Sequence, residues 1–170
     1  VEICKIFEVK NTGHLFPYMH VTHPFLNTPS LVLSFLLVRI FYWIVLMICI
    51  PIVGPSMSKA QEQIESALVI ADILELRLDL IVSPDLSALL ASSTLPVIVT
   101  NRSKHDGGQY KGLDQDRVQS LRDALKAGAD YVDIEVSTPR EFLQPFLEES
   151  EPAKIILSYH DFSHTPEDLN

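Results

Sequence analysis

Several strand-like stretches of the sequence place charged or titratable side chains at every second position. In "ILELRLDLI" these are Glu75 and Arg77, in "LPVIVTNR" Arg102, and in "IILSYHDF" His160. Alternate residues of a strand point to the same face, so the polar side chains of one strand share a face. Histidine titrates near neutral pH and suits proton transfer, while arginines can set the local field for an anion. The pattern predicts a site for proton transfer, and its arginines would allow an anionic substrate despite the acidic chain.

Each of these residues also has a purely structural interpretation. Glu75, Arg77 and Asp79 could form an ion-pair ladder, and a lone histidine such as His160 is usually a satisfied core residue. A further strand, "YVDIEV", adds two carboxylates that suit support of the arginines better than catalysis. Polar residues on four separate strands favour a shared enclosed site, because buried charges must pair with one another or bind a ligand.

From residue 47 onward, strand and helix patterns alternate, which predicts an α/β fold. Such alternation implies parallel strands joined by right-handed crossovers. In a βα-repeat a polar strand face suits the inside of a barrel, where chemistry lies at the carboxyl ends of the strands. Strands are predicted at 47–53, 73–81, 95–102, 131–136 and 154–162, and helices at 56–71, 83–93, 114–129, 138–149 and from 165.

Local signals refine this plan at three points. Gly128 is predicted to stop the third helix, and Thr138 to cap the fourth in a capping box with Glu141. In the loop "SKHDGGQYKG", Gly107 and Gly108 predict a positive φ angle and a close approach of two backbone segments.

Residues 1–46 show no clear periodicity and are predicted to be an extension outside the enzyme fold, which we assign to residues 47–170. The apolar run at 31–53 is long enough for a membrane span. Arg39 within it would cost about 2.5–3.5 kcal/mol in a bilayer, and its end also reads as a buried strand. A membrane segment is therefore the less favoured interpretation.

Composition limits the classes of partner. The net charge is −9, which argues against nucleic acid as a partner. The two cysteines are far apart, so a disulfide scaffold is not expected. His14, His20 and His23 lack an accompanying carboxylate or cysteine, and no metal site is expected there.

Four ordered motifs, "ELRLD", "TNRSKHDGGQY", "YVDIE" and "SYHDFSHTP", resemble type I 3-dehydroquinate dehydratase. The segments "ICIPIVG" and "GGQY" are similar to the dehydratase half of the plant enzyme that also carries a shikimate dehydrogenase. The resemblance covers residues 48–170. It implies a (β/α)8 barrel, a lyase reaction of the shikimate pathway, and no metal or diffusible cofactor.

The resemblance also assigns roles by position. His160 matches the general acid/base, and Glu75, Arg77 and Arg102 match residues that contact the substrate, 3-dehydroquinate. Asp106 stands where the family has a glutamate that orients the histidine, so it is a supporting residue that is one methylene shorter.

In the family a lysine on the sixth strand forms a Schiff base with the substrate ketone. The sequence reaches only a fifth strand, and Lys104, Lys111 and Lys154 do not match that motif. The resemblance therefore predicts a partial barrel of about five of eight βα units. Little activity and a tendency to associate are expected, because open sheet edges would be exposed.

Two other functions stay open at this point. One is a metal-dependent barrel hydrolase that uses Asp, Glu and His at strand ends, although the paired-histidine motif is missing. The other is a non-catalytic remnant tethered to a membrane by residues 31–53. The localisation stays open: plant likeness suggests a plastid, with the cytoplasm as the alternative, but residues 1–30 do not resemble a clean transit peptide. A fused shikimate dehydrogenase domain in the full-length protein is a further option that the resemblance leaves open.

Overall fold

The computed structural model describes residues 5–8, 47–151 and 154–162. Six strands and four helices lie in these ranges, together with a single 3-10 turn at Leu78–Leu80. The strands are β1 Lys5–Glu8, β2 Cys49–Ile52, β3 Ile73–Arg77, β4 Val97–Thr100, β5 Tyr131–Glu135 and β6 Ile155–Tyr159. The helices are α1 Met57–Ala67, α2 Leu86–Ala91, α3 Asp114–Lys126 and α4 Arg140–Glu149.

All six strands form one sheet, in the order β1-β6-β5-β4-β3-β2. Strands β2 to β6 run parallel to one another, with helices in the connections. The predicted α/β fold with five parallel strands is thus confirmed. Strand β1 pairs antiparallel with β6, which the aperiodic sequence around it did not indicate.

Two local predictions about this α/β plan have different outcomes. The predicted stop at Gly128 is confirmed, because α3 ends at Lys126 and Gly128 has a φ angle of +100°. The predicted cap of α4 is wrong. Pro139 occupies the N-cap position without a side-chain hydrogen bond. The Thr138 hydroxyl instead accepts a hydrogen bond from Arg117 at 2.9 Å, so a buried cation takes the group that would cap the helix.

The apolar side chains of the strands cover one face of the sheet, which we call the outer face. Leu76, Val99 and Ile134 on this face are fully buried. They pack with helix residues such as Leu121 and Phe146 in a single core cluster. Burying each such side chain stabilises the fold by about 1.5–3 kcal/mol, so this layer holds the helices on the sheet.

The opposite face, which we call the inner face, is layered along the strands. At its amino end the side chains are apolar and form a small second cluster, made of Cys49, Ile73, Ile98, Tyr131 and Ile156. Two residues further along β3 to β6 the side chains are polar and buried: Glu75, Thr100, Asp133 and Ser158. The apolar cluster is therefore the floor beneath a polar layer.

Strand β2 takes its four residues from the end of the apolar run at 31–53, and residues 31–46 of that run lie outside the described residues. Within the described ranges, no helix has the length and apolar character needed to cross a bilayer. The histidines at 14, 20 and 23 and the helix predicted from 165 also lie outside the described residues.

Candidate functional site

Arg102 lies at the centre of the inner face, just beyond the end of β4, and is 5 % exposed. Its guanidinium donates to both carboxylate oxygens of Asp133, at 2.8 and 3.2 Å, and to Glu135 at 3.1 Å. It also donates to the Ser158 hydroxyl at 2.7 Å, which in turn donates to Asp133 at 2.7 Å. Side chains of the two neighbouring strands β5 and β6 therefore hold Arg102 in a fixed orientation.

The pKa values of this group follow from its burial and charges. Burial alone would lower the pKa of Arg102, but Asp133 and Glu135 outweigh it and raise that pKa, so the guanidinium stays cationic. For Glu135, burial outweighs the attraction of Arg102 and raises the pKa of its carboxyl. Arg102 therefore keeps its positive charge, whereas the charge state of Glu135 depends on the charged groups around it.

Arg77 ends β3 and points to the same face. It donates two hydrogen bonds of 3.0 Å to Asp79, whose own side chain is fully buried. Asp79 also accepts from the backbone amides of Arg102, at 3.3 Å, and Gln109, at 3.0 Å. Asp79 is therefore a clamp that joins Arg77 to the β4–α3 loop. The Asp79 hydrogen bonds raise the pKa of Arg77 despite its burial.

The β4–α3 loop turns at its two glycines, as the sequence predicts. Gly107 has a φ angle of +81°. At Gly108 a Cβ atom would lie 2.1 Å from the carbonyl oxygen of Arg102, so only glycine fits. The Gly108 amide donates to Ser103 at 2.8 Å and closes the turn. This close approach brings the loop back over the end of β4.

Asp106 lies in that loop and is 5 % exposed. Its Oδ2 atom accepts hydrogen bonds from the hydroxyls of Ser103, at 2.7 Å, and Ser137, at 2.6 Å. Burial opposes ionisation, but the two hydroxyls, helped by the charges of His105 and His160, lower the pKa of the Asp106 carboxyl. Asp106 thus links the β4–α3 loop to the β5–α4 loop and feels the charge of His160.

His160 follows β6 directly and is half-buried. Its ring stacks on Phe162, with 6.3 Å between ring centroids and 15° between planes. Phe162 lies against Gly107, where an added Cβ would approach its ring to 2.4 Å. The histidine is thereby next to the loop that carries Asp106, at the carboxyl end of the sheet.

The predicted site residues share this end of the inner face. Glu75 is 9 % exposed on β3, and its charge acts on both Arg77 and Arg102. Arg102 contacts Ser158, two residues before His160 on the same face. The structure therefore brings Glu75, Arg77 and Arg102 together, with Asp106 and His160 beside them.

Arg117 on α3 was missed at the sequence level. It is 1 % exposed and pairs with Glu135, while it also donates to Asp114 and Thr138, each at 2.9 Å. A signal was available, because Arg117 lies four residues before Leu121, on the apolar stripe of the helix. A charged side chain on the buried face of a helix is rarely found without a partner of opposite charge.

Lys104, Lys111 and Lys154 lie outside the polar layer of the inner face. Lys154 is at the amino end of β6, 3.8 Å from Glu151. Lys104 and Lys111 are exposed in the loop. Among the described residues, no group of three or more His, Cys, Asp or Glu side chains could hold a metal ion.

Comparison with known proteins gives consistent relatives. The profile of the type I 3-dehydroquinase family matches residues 48–170. A 3-dehydroquinate dehydratase of Methanococcus maripaludis strain C7 is 37 % identical over 123 residues, which are 71 % of this chain and 56 % of the relative. A chloroplastic bifunctional 3-dehydroquinate dehydratase/shikimate dehydrogenase of Arabidopsis thaliana is 35 % identical over 133 residues, 73 % of this chain and 22 % of the relative.

Solved structures agree on the fold. A type I 3-dehydroquinate dehydratase from Clostridium difficile, with covalently modified comenic acid, superposes with a TM-score of 0.64 at 23 % identity. The match covers 71 % of this chain and 53 % of that one. The enzyme from Aquifex aeolicus gives a TM-score of 0.53 at 28 % identity, over 71 % and 56 % of the chains. The chain spans about half the length of such single-function relatives.

Proposed function

Since the chain belongs to the type I 3-dehydroquinase family, we propose that its inner face forms part of a 3-dehydroquinate dehydratase site. The reaction removes water from 3-dehydroquinate and gives 3-dehydroshikimate. The observation that carries the proposal is Arg102, a permanently cationic side chain held rigidly by Asp133, Glu135 and Ser158 beneath the loop of Asp106.

Arg77 and Arg102 would bind the substrate, which carries a carboxylate and several hydroxyl groups. Arginine presents a planar array of donors that matches carboxylate and hydroxyl oxygens. Glu75, whose charge acts on both arginines, would accept from a substrate hydroxyl. Because Asp79 and Asp133 fix the two guanidinium groups, little side-chain entropy is lost on binding.

His160 would act as the general acid/base. It would take the proton from the carbon next to the substrate ketone and return it to the departing hydroxyl. Water then leaves, a carbon–carbon double bond forms in the substrate, and the imidazole ends in its starting protonation state. Asp106 would support the charged ring electrostatically, because the charge of His160 already lowers the pKa of its carboxyl. The Asp106 carboxylate already accepts hydrogen bonds from Ser103 and Ser137. It would therefore act on His160 by its charge and not by a hydrogen bond.

In this mechanism a lysine forms an imine with the substrate ketone and makes the neighbouring carbon acidic. Lys104 and Lys111, exposed in the loop, and Lys154, at the amino end of its strand, do not suit that role. We propose that Glu75, Arg77, Arg102, Asp106 and His160 are the binding and proton-transfer part of the site, and that the imine-forming lysine is none of these three lysines.

Binding is the property of this chain that tests the proposal. Isothermal titration calorimetry with 3-dehydroquinate should give saturable binding to the wild-type chain. Arg77→Met should weaken it by about tenfold or more, since a charged hydrogen bond contributes about 1.5–3 kcal/mol. Arg140→Met, an exposed arginine at the start of α4, is the matched control and should bind as the wild type does. Absence of binding to the wild-type chain would refute the proposal.

The Schiff-base step is testable in the full-length protein. Borohydride reduction with 3-dehydroquinate should leave a covalent adduct there, located by mass spectrometry on a lysine outside the described residues. An adduct on Lys104, Lys111 or Lys154 would show that the nucleophile is assigned wrongly.

The wider arrangement is also a proposal. The TM-score of 0.64 with a dehydroquinate dehydratase supports five strands of a (β/α)8 barrel within residues 48–170. Residues 1–46 would precede this barrel unit, although Lys5–Glu8 adds an antiparallel strand to its sheet. A shikimate dehydrogenase on the same full-length protein is supported by the Arabidopsis relative. The complete transcript sequence tests both, because it would show sixth to eighth strands or a dehydrogenase domain.

A further inference from the structure

Arg117 is connected to the candidate site through Glu135. Its guanidinium on α3 pairs with the Oε2 atom of Glu135, while the Oε1 atom accepts from Arg102 at 3.1 Å and from the Ser103 amide at 3.4 Å. Glu135 is fully buried. One carboxylate therefore bridges a helix arginine to the arginine of the candidate site.

The charges make this bridge dependent on Arg117. Asp133 on the same strand shares Arg102 with Glu135, and Glu75 on β3 also acts on Arg102. Without Arg117, two buried carboxylates would compete for a single guanidinium. Like charges at one site disfavour ionisation of both, so one carboxyl would take up a proton and release its hold on Arg102.

Arg117 is itself held on three sides. It donates to Asp114 in the first turn of its own helix and to the Thr138 hydroxyl after β5, each at 2.9 Å. Together with Glu135, each side of the Arg117 guanidinium thus has one acceptor. Arginine provides this fork geometry and lysine lacks it.

We propose that Arg117 is a positioning residue, which fixes the Glu135 carboxylate so that it holds Arg102 and the Ser103 amide in place for the substrate. The inference deepens the proposed function and rests on it for the identity of the ligand. Arg117 makes no contact with substrate in this account and acts through Glu135 alone.

The test compares Arg117→Met and Arg117→Lys with the wild-type chain. The Glu135 carboxyl is followed by carbon NMR of labelled glutamate across pH, with Glu135→Gln used to assign its signal. In Arg117→Met this carboxyl should titrate about one pH unit or more higher than in the wild type. Arg117→Lys should restore part of the shift, because it keeps the charge and loses the fork. An unchanged titration would overturn the proposal, whether or not the chain binds 3-dehydroquinate.

Substrate affinity supplies the second readout, in a double-mutant cycle. Arg117→Met should weaken 3-dehydroquinate binding by about tenfold or more. In a Glu135→Gln background the same change should alter affinity by less than about twofold, because its route to Arg102 is gone. Equal losses in both backgrounds would contradict the proposal. If Arg117→Met does not fold, Arg117→Lys is used in both backgrounds.

Arg122→Met is the matched control on the same helix. Arg122 pairs with Glu149 at 3.2 Å and lies over the Phe146 ring at 5.6 Å, away from Glu135. It should leave both the Glu135 titration and the affinity unchanged. Failure of the wild-type chain to bind would refute the proposed function, whereas the Glu135 titration decides the role of Arg117 separately.

Discussion

The two faces of the sheet are built from the same strands but are held together by different interactions. On the outer face, leucine, valine and isoleucine pack against α1 to α4 without directional bonds. On the inner face, Arg102 alone makes four hydrogen bonds to Asp133, Glu135 and Ser158. Apolar contacts add up regardless of orientation, whereas the buried charges are tolerable only while each has its partner. The outer face therefore supplies stability and the inner face supplies a defined geometry.

Removing the central cation should give the largest effect and test the inner face most severely. Arg102→Met leaves Asp133 and Glu135 buried with too little positive charge, which should lower the free energy of unfolding by about 3–5 kcal/mol. Urea unfolding followed by circular dichroism measures it. Arg122→Met, which removes a partly exposed pair, should cost about 1 kcal/mol or less. Equal losses would show that the inner network is no more demanding than a surface pair.

An outer-face cavity should affect stability but not the site. Leu76→Ala, at a fully buried position, should lower the free energy of unfolding by about 2–5 kcal/mol. Affinity of the folded fraction for 3-dehydroquinate should stay within about twofold, as calorimetry at low temperature would show. Val69→Ala, at an 83 % exposed position, is the control and should change stability by less than about 0.5 kcal/mol. A large loss of affinity in Leu76→Ala would mean that the two faces are coupled.

Asp106 should make the stability contributed by the inner face depend on pH. The pKa of its carboxyl is lowered in the folded chain, so its stabilisation is present above the unfolded value of about 3.9 and is lost as pH falls through the folded value. Asp106→Asn should cost about 1–3 kcal/mol near neutral pH, with the difference from wild type shrinking towards pH 3. Urea unfolding across pH measures this, with the exposed Asp123→Asn as control. A difference that grows at low pH would reverse the assigned sign.

His160 should have the smallest effect on folding. His160→Gln keeps a half-buried polar side chain after β6, so the free energy of unfolding should change by less than about 1 kcal/mol. In the full-length protein the dehydration rate should fall by about 10²- to 10⁴-fold, while substrate affinity changes little. A rate within a few-fold of the wild type would remove His160 from proton transfer.

The sequence was informative where periodicity and chemistry agreed. Alternation in "ILELR" and "YVDIE" correctly separates the two faces, because a period of two permits only one assignment of Glu75 and Glu135. Gly107 and Gly108 predicted the turn of the β4–α3 loop. Few other residues adopt the positive φ angle of Gly107, and a Cβ atom at Gly108 would collide with Arg102.

Other features depend on partners distant in sequence. Strand β3 ends at Arg77, earlier than the apolar pattern suggests, because Asp79 turns back to clamp that arginine. Thr138 looks like a helix cap, yet Arg117, 21 residues away, takes its hydroxyl. Strand β1 pairs with β6 across about 150 residues, and local sequence contains no record of such a contact.

The most direct test of the account is an NMR titration of the chain with 3-dehydroquinate that follows the arginine Nε–H signals and the His160 ring. We predict that Arg77, Arg102 and His160 shift together along one saturation curve, while Arg122 and Arg140, on α3 and α4, do not move. Shifts that spread over all the arginines, or that leave Arg102 and His160 unchanged, would contradict the claim that the inner face is a single binding site.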